Sequence, residues 1–237
     1  MKIAILKCDE VLTELQSEFG DYDDMIRRMF DVIDNIFEFD VFDVRQSQYP
    51  SDINVYDFFI TTGSKVGVYE DIAWIHKFVE FVRLLIRQKI KLIGICFGHQ
   101  VISEAFYSGV EKTDRGWGIG VSVNRLVAKP DWMTSGTEEN KSELNIIVSH
   151  QDQIIELPDE ALVIAESDFC PYFLVQWNSH ILSIQGHPEF NIAYSAAMMN
   201  RRKAIIPAQR IKEGLDSLKI EPDNRLFANW IMEFVKQ

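Results

Sequence analysis

The chain is poor in cysteine, glycine, proline and basic residues. Its 237 residues include only 3 Cys, 12 Gly and 7 Pro, which excludes a disulfide scaffold, a collagenous chain and a low-complexity chain. The 24 Lys and Arg are outnumbered by 36 Asp and Glu, which gives a formal net charge of −12. Because phosphate binding depends on concentrated Lys and Arg, we expect neither nucleic acid nor an anionic membrane as the main partner.

Targeting and membrane-spanning patterns are also missing. The first residues form a short β-like run followed at once by Asp9 and Glu10, without the basic and apolar regions of a signal peptide. No stretch approaches the roughly 18–20 apolar residues that a membrane span needs. The three cysteines, Cys8, Cys96 and Cys170, are odd in number and widely spaced. We therefore expect reduced thiols in a cytoplasmic protein.

Short apolar runs alternate with longer amphipathic stretches in the first half of the chain, which is the pattern of a parallel sheet with crossover helices. The run 90–95 is almost wholly apolar, as in a strand covered on both faces. Beyond residue 116 the strands become short, which indicates an antiparallel edge. The predicted strands are 2–8, 39–44, 57–62, 90–95, 120–128, 144–148, 161–166, 173–177 and 181–185. The predicted helices are 23–37, 71–88, one that begins near His99, 191–218 and 224–235.

Residues 1–237 are interpreted as a single α/β domain with three layers, in which helices cover both faces of a mostly parallel sheet. No internal repeat, low-complexity tract or convincing linker interrupts the pattern. A helical extension is expected over about 191–237, with a break at 221–223. The polar stretch 134–142 is expected to be a surface loop.

The segment 94–100, GICFGHQ, carries the strongest chemical signal and follows the most apolar predicted strand. A nucleophile on a sharp strand-to-helix turn needs neighbours with almost no side chain two residues to either side. Gly94 and Gly98 occupy those positions around Cys96. The helix that follows would direct free N–H groups and the positive end of its dipole at the thiol. The pattern predicts a cysteine nucleophile elbow at the sheet edge where α/β proteins bind ligands.

A general base and its orienting carboxylate are expected in the downstream segment 186–190, GHPEF. In an extended chain residues i and i+2 point to the same side, so Glu189 can orient the imidazole of His187. His187 can then exchange a proton with Cys96. The sequence therefore predicts a catalytic triad of Cys96, His187 and Glu189.

The remaining requirement is an oxyanion hole built from backbone N–H donors. The elbow itself places the N–H of Phe97. A second donor is expected from the loop 62–65, where Gly63 permits close approach of the backbone. The sequence has no Cys-x-x-Cys or His-x-x-x-His pair that would argue for a metal, and no cofactor is expected.

Together these motifs resemble the class I, triad-type glutamine amidotransferases. The resemblance rests on four stretches: GICFGHQ at 94–100, QGHPEF at 185–190, TGS at 62–64 and VSHQDQIIELP at 148–158. It implies a flavodoxin-like fold and a reaction in which the cysteine thiolate attacks the side-chain amide of glutamine and releases ammonia. Water would then hydrolyse the γ-glutamyl thioester to glutamate.

The resemblance also implies roles for further residues. Gly63 and Ser64 would supply the second oxyanion donor. Four polar residues would line the pocket for the α-amino and α-carboxylate groups of the substrate: Gln100, Ser149, His150 and Gln151.

The chain differs from the biosynthetic members of this family at the loop 62–65, where they usually carry Gly-Gly-Pro. Those members are also fused or bound to a synthase that uses the ammonia. The loop and the segment 73–75 look more like the stand-alone subgroup that resembles the amidotransferase part of GMP synthase and includes plant γ-glutamyl peptidases. We expect a small γ-glutamyl substrate, with glutamine first and a γ-glutamyl peptide such as a glutathione conjugate as the alternative. A subunit that depends on a synthase partner and a cysteine peptidase or deglycase are further alternatives.

Other features have plainer interpretations. Cys8 and Cys170 lack a catalytic context and are expected to pack in the core. The spaced glycines from Gly116 to Gly120 precede no helix and are interpreted as a turn. The basic run 201–203 is interpreted as a solvated helix face, with contact to a partner or substrate as the alternative.

Overall fold

The computed structural model describes residues 1–133 and 141–237. Within them the strands are β1 Lys2–Lys7, β2 Glu38–Asp43, β3 Phe58–Thr61, β4 Leu92–Ile95, β5 Val110–Lys112, β6 Gly118–Leu126, β7 Glu143–His150, β8 Asp152–Ile154, β9 Leu162–Glu166, β10 Leu174–Gln176 and β11 Ile181–Ile184. The α-helices are α1 Thr13–Phe19, α2 Tyr22–Phe30, α3 Ala73–Arg87, α4 Phe97–Ala105, α5 Ile192–Arg201, α6 Ala208–Ser217 and α7 Asn224–Lys236. The predicted loop 134–142 lies almost wholly outside the described residues.

Nine of these strands form one sheet in the order β2-β1-β3-β4-β11-β10-β9-β6-β7. The first five strands in this order, β2-β1-β3-β4-β11, pair in parallel. From β11 onwards, β11-β10-β9-β6-β7, neighbouring strands pair antiparallel. Strands β5 and β8 pair in a separate antiparallel sheet. The predicted α/β class, with a parallel centre and an antiparallel edge, is confirmed.

The central strand β4 is buried on both faces because helices cover both sides of the sheet. Ile93 and Ile95 belong to the core that α2 and α7 complete, and Leu92 belongs to the core that α3 and α4 complete. All three side chains are fully buried, and each burial is worth about 1.5–3 kcal/mol. This double burial accounts for the unbroken apolar run, and the predicted three layers are confirmed.

The predicted helix over 191–218 is wrong, because the chain forms α5 and α6 with a break between them. Pro207 is the residue before α6 and has an extended backbone, with φ −53° and ψ 138°. A proline has no N–H to donate and disfavours a helical conformation at the preceding residue, so the turn and bend residues at 202–206 cannot run on through Ile206 into α6 as one continuous helix.

The predicted helix over 23–37 is also too long. Helix α2 ends at Phe30, and Ile33 and Phe37 pack against the core from the turn and segment that follow it. These two side chains continue the apolar spacing without continuing the helix. Helix α2 begins at a capping box in which Asp21 and Asp24 satisfy backbone donors at the N-terminus.

The predicted helical extension over 191–237 consists of α5, α6 and α7. Helix α7 is part of the main core, where Phe227, Ile231 and Phe234 are fully buried. The division of the chain into domains stays a prediction. No described helix is both long enough and apolar enough to cross a membrane.

Candidate active site

Cys96 lies at the turn between β4 and α4 in a strained backbone conformation. Its φ is 49° and its ψ is −99°, a backbone conformation that residues other than glycine rarely adopt. The strand fixes the turn through a 2.8 Å hydrogen bond from the Cys96 N–H to the Ile184 carbonyl of β11. Helix α4 starts at the next residue, so its N-terminus adjoins the sulfur.

The two flanking glycines make this turn possible. A Cβ on Gly98 would lie 1.7 Å from Thr61 Oγ1. A Cβ on Gly94 would lie 2.5 Å from Ile102 Cδ1 and 2.9 Å from the Gly98 carbonyl oxygen. Because real Cβ atoms do not approach other atoms so closely, both positions exclude any larger residue. The geometry is that of the predicted elbow.

His187 and Glu189 are buried side by side just beyond β11. His187 Nδ1 lies 2.8 Å from Glu189 Oε1, and the imidazole stacks on Phe190 with ring centroids 4.0 Å apart. The expected extended segment is wrong, because residues 187–190 form a turn closed by a 3.2 Å hydrogen bond from the Phe190 N–H to the His187 carbonyl. The turn brings the two side chains together as the predicted i, i+2 pairing would have done.

The electrostatics of His187 favour its charged form. Burial alone would lower the pKa of His187, but interactions with Cys96 and Glu189 outweigh that effect and raise the pKa above its ordinary value. A carboxylate at Nδ1 fixes the ring orientation and leaves Nε2 for a second partner. The arrangement is able to hold an imidazolium beside the Cys96 sulfur.

The loop 62–65 lies against the same pair of side chains. A Cβ on Gly63 would lie 2.8 Å from His187 Cε1 and 3.7 Å from Cys96 Cβ. Within residues 1–133 and 141–237, the N–H groups of Gly63, Ser64 and Phe97 have no acceptor. Backbone donors without partners are therefore available beside Cys96.

Two residues that the sequence interpretation missed hold this arrangement. Asp9, which follows β1 and is 4% exposed, accepts a 2.9 Å hydrogen bond from the Lys65 N–H and so anchors the loop 62–65. Gln185 donates from Nε2 to the Cys96 sulfur over 3.6 Å and accepts from Gln100 over 3.3 Å. Gln185 immediately precedes the GHPEF motif, a position that could have drawn attention to it.

A cavity of about 500 Å³ opens beside Cys96. Its wall includes Ser64 and all four residues predicted to bind substrate, namely Gln100, Ser149, His150 and Gln151. Burial lowers the pKa of His150 to about 4, so its ring is neutral at physiological pH, and its Nδ1 lies 3.1 Å from the Asp152 carbonyl oxygen. The structure therefore brings the predicted binding residues to one pocket next to the elbow.

The other two cysteines do not line this cavity. Both Cys8 and Cys170 are buried, and burial raises the pKa of the Cys8 thiol and raises that of Cys170 to about 12. In the described part of the chain no cluster of three or more His, Cys, Asp or Glu side chains is placed to hold a metal ion.

Residues 31–205 match the model of the family described as glutamine amidotransferase class-I. The chain belongs to the class I glutamine amidotransferases. It is 33% identical to γ-glutamyl peptidase 3 of Arabidopsis thaliana over 65% of this chain and 64% of that protein. That match spans just under two thirds of the plant protein's length. γ-Glutamyl peptidase 2 of the same plant is 30% identical over 84% of this chain and 82% of its own.

A solved structure supports the same fold. The crystal structure of a glutamine amidotransferase from Thermotoga maritima superimposes with a TM-score of 0.75. The superposition covers 99% of each chain at 18% sequence identity, a level at which the likeness concerns the fold alone. The resemblance predicted from the motifs is confirmed at the level of family and fold.

Proposed function

We propose that this class I glutamine amidotransferase hydrolyses γ-glutamyl amide bonds through a thioester on Cys96. The observation that carries the proposal is the elbow cysteine, with its strained backbone, beside a histidine that is hydrogen-bonded to a buried carboxylate. A nucleophile, a base and an orienting acid in contact are the parts that acyl transfer requires.

In the first half of the reaction the Cys96 thiolate attacks the γ-carbonyl carbon of the substrate. The oxygen of the tetrahedral intermediate accepts hydrogen bonds from free backbone N–H groups, with Phe97 and Gly63 or Ser64 as the donors. The imidazolium of His187 gives its proton to the leaving nitrogen as the C–N bond breaks. The amine departs and a γ-glutamyl thioester stays on the sulfur.

The second half returns the enzyme to its starting state. Neutral His187 takes a proton from water, and the hydroxide attacks the thioester carbonyl carbon. The C–S bond breaks, glutamate leaves and Cys96 regains its thiolate beside the imidazolium. Glu189 keeps the ring oriented and stabilises its positive charge through both steps.

We place γ-glutamyl peptides before glutamine as substrates, which reverses the order expected from the sequence. A cavity of about 500 Å³ falls in the range that holds drug-sized ligands and exceeds the need of one amino acid. The names of the two plant relatives agree with a γ-glutamyl peptide substrate. Dependence on a synthase partner and a cytoplasmic location stay predictions.

The test compares glutamate release from glutamine and from γ-glutamyl dipeptides by the purified protein. We expect kcat/KM to be at least about tenfold higher for a dipeptide, since the longer ligand makes added contacts in the cavity. Cys96→Ala is expected to abolish both activities, and Cys170→Ala, which removes a buried thiol outside the cavity wall, serves as its control. Unchanged activity in Cys96→Ala would refute the proposal.

A further inference from the structure

One cation in the wall of the cavity has no acidic partner among the residues that the structure describes. Arg202 follows α5 and lines the cavity that contains Cys96. Its neighbours Arg201 and Lys203 are exposed, whereas Arg202 is half-buried. The prediction that the run 201–203 is a solvated helix face is therefore correct for Arg201 and Lys203 and wrong for Arg202.

Two contacts hold the Arg202 guanidinium in place. Its Nη1 donates to Ser149 Oγ over 2.6 Å, and the guanidinium carbon lies 5.3 Å from the centroid of the Trp117 ring. Ser149 belongs to β7 and Trp117 immediately precedes β6, so two adjacent strands fix the group. A guanidinium has five N–H donors, and the serine uses one of them.

Each of the other two cations of the cavity wall interacts electrostatically with a carboxylate. Lys65 Nζ lies 3.1 Å from Asp9 Oδ1. Lys112 lies opposite Asp152 in the pairing of β5 with β8. Burial raises the pKa of the Asp152 carboxyl group, and the charge of Lys112 opposes that rise. In the described residues 1–133 and 141–237 Arg202 forms no ion pair with a carboxylate, and its guanidinium contacts Ser149 and Trp117 instead.

We propose that Arg202 binds a carboxylate of the γ-glutamyl substrate and thereby selects γ-glutamyl substrates with a carboxylate at that position. The inference rests on the proposed hydrolysis, because a γ-glutamyl peptide is the ligand that it places in the cavity. A preorganised guanidinium in a partly desolvated site favours a planar anion that accepts two parallel hydrogen bonds. The net charge of −12 makes such a local donor necessary, since the field of the whole chain repels anions.

A γ-glutamyl dipeptide offers two carboxylates to this group. One is the α-carboxylate of the γ-glutamyl unit, and the other is the C-terminal carboxylate of the leaving amino acid. Two amides of γ-glutamylalanine separate the two sources: one carries a carboxamide in place of the α-carboxylate, and the other carries a carboxamide at the C-terminus.

The experiment measures binding of the three ligands by calorimetry to the Cys96→Ala protein, which cannot form the thioester. Arg202→Gln is expected to weaken binding of γ-glutamylalanine on the order of 10- to 100-fold, the effect of losing a charge-assisted pair. One of the two amides is expected to bind to the protein with Arg202 intact as weakly as γ-glutamylalanine binds to Arg202→Gln. The affinity of that amide should not fall further in Arg202→Gln. That amide identifies the carboxylate.

Arg201→Gln provides the matched control, because Arg201 is the adjacent arginine and lies on the surface, 3.5 Å from Glu14. Equal effects of Arg201→Gln and Arg202→Gln, or an equal loss for all three ligands in Arg202→Gln, would overturn the subsite. The comparison of γ-glutamylalanine with its two amides on the protein with Arg202 intact stays informative even if Arg202→Gln does not fold. A protein that binds γ-glutamylalanine but does not hydrolyse it when Cys96 is present would refute the proposed hydrolysis and leave the subsite standing.

Discussion

The elbow glycine Gly98 offers a direct test of why this turn is built as it is. Its backbone φ is not positive, so replacement by alanine adds no left-handed strain and acts through contact alone. The new Cβ would lie 1.7 Å from Thr61 Oγ1 and 2.6 Å from Thr61 Cβ. Thr61 is fully buried at the end of β3 and has no open space to move into.

The cost of Gly98→Ala follows from two effects. Overpacking a filled core costs about 1–3 kcal/mol. Movement of Thr61 also breaks the 2.9 Å hydrogen bond that its Oγ1 accepts from the Ile95 N–H, and an unsatisfied buried donor costs about 1–3 kcal/mol more. We therefore expect the free energy of unfolding to fall by about 2–6 kcal/mol.

The assay is urea denaturation, with Gly116→Ala as the control. Gly116 has φ +79° and no atom within 4 Å of its missing Cβ, so alanine there costs only the strain of about 1–2 kcal/mol. Adding Thr61→Ala to Gly98→Ala removes two of the three close contacts, and the double variant should be less destabilised than the sum of the single variants. Additive losses, or equal losses in Gly98→Ala and Gly116→Ala, would contradict the steric reasoning.

Three further predictions concern the site and the buried titratable groups. Glu189→Gln keeps the shape of the side chain but not its charge, so kcat should fall about 10²–10⁴-fold with KM little changed; a kcat within a factor of two of wild type would contradict the role of the carboxylate. Burial lowers the pKa of His99 to about 3, so the unfolded chain takes up a proton there as pH falls below about 6.5 and the folded protein does not. Stability should therefore fall from pH 6.5 towards 4, and His99→Asn should reduce that slope in urea denaturation by about 1.4 kcal/mol per pH unit; an unchanged slope would contradict the assignment. Iodoacetamide should label Cys96 before Cys170 in the folded protein, because Cys96 lines the cavity whereas Cys170 does not and burial raises the pKa of its thiol to about 12; equal rates of labelling of Cys96 and Cys170 in peptide mass spectrometry would count against this.

The elbow was predictable from sequence because its requirements are local and steric. A glycine on each side of Cys96, two residues away, follows from the space available at the turn, and the preceding apolar run follows from burial on both faces of β4. The parallel centre of the sheet was predictable for the same reason.

Tertiary contacts decided the features that were missed. Strands β5 and β8 have three residues each, too few to show a periodic pattern, and they form because they pair with each other. The end of α2 was missed because Ile33 and Phe37 continue a helical spacing outside the helix. The apolar pattern shows which residues are buried but not whether the backbone at those residues is helical.

Arg202 shows the same limit within the site. Nothing in the run 201–203 separates its three basic residues, and only the packing of α5 beside β6 and β7 places Arg202 against Ser149 and Trp117. For His187 and Glu189 the motif predicted the pairing and gave the wrong backbone, because two different conformations bring side chains at i and i+2 together.

The most direct test of the central claim is to identify the covalent species on Cys96 during turnover. The protein is mixed with γ-glutamylalanine, quenched in acid within one turnover and digested for mass spectrometry. A γ-glutamyl thioester on the Cys96 peptide, absent from Cys96→Ala and present in Cys170→Ala, is the predicted result. Steady hydrolysis with no adduct on Cys96, or an adduct on another residue, would contradict it.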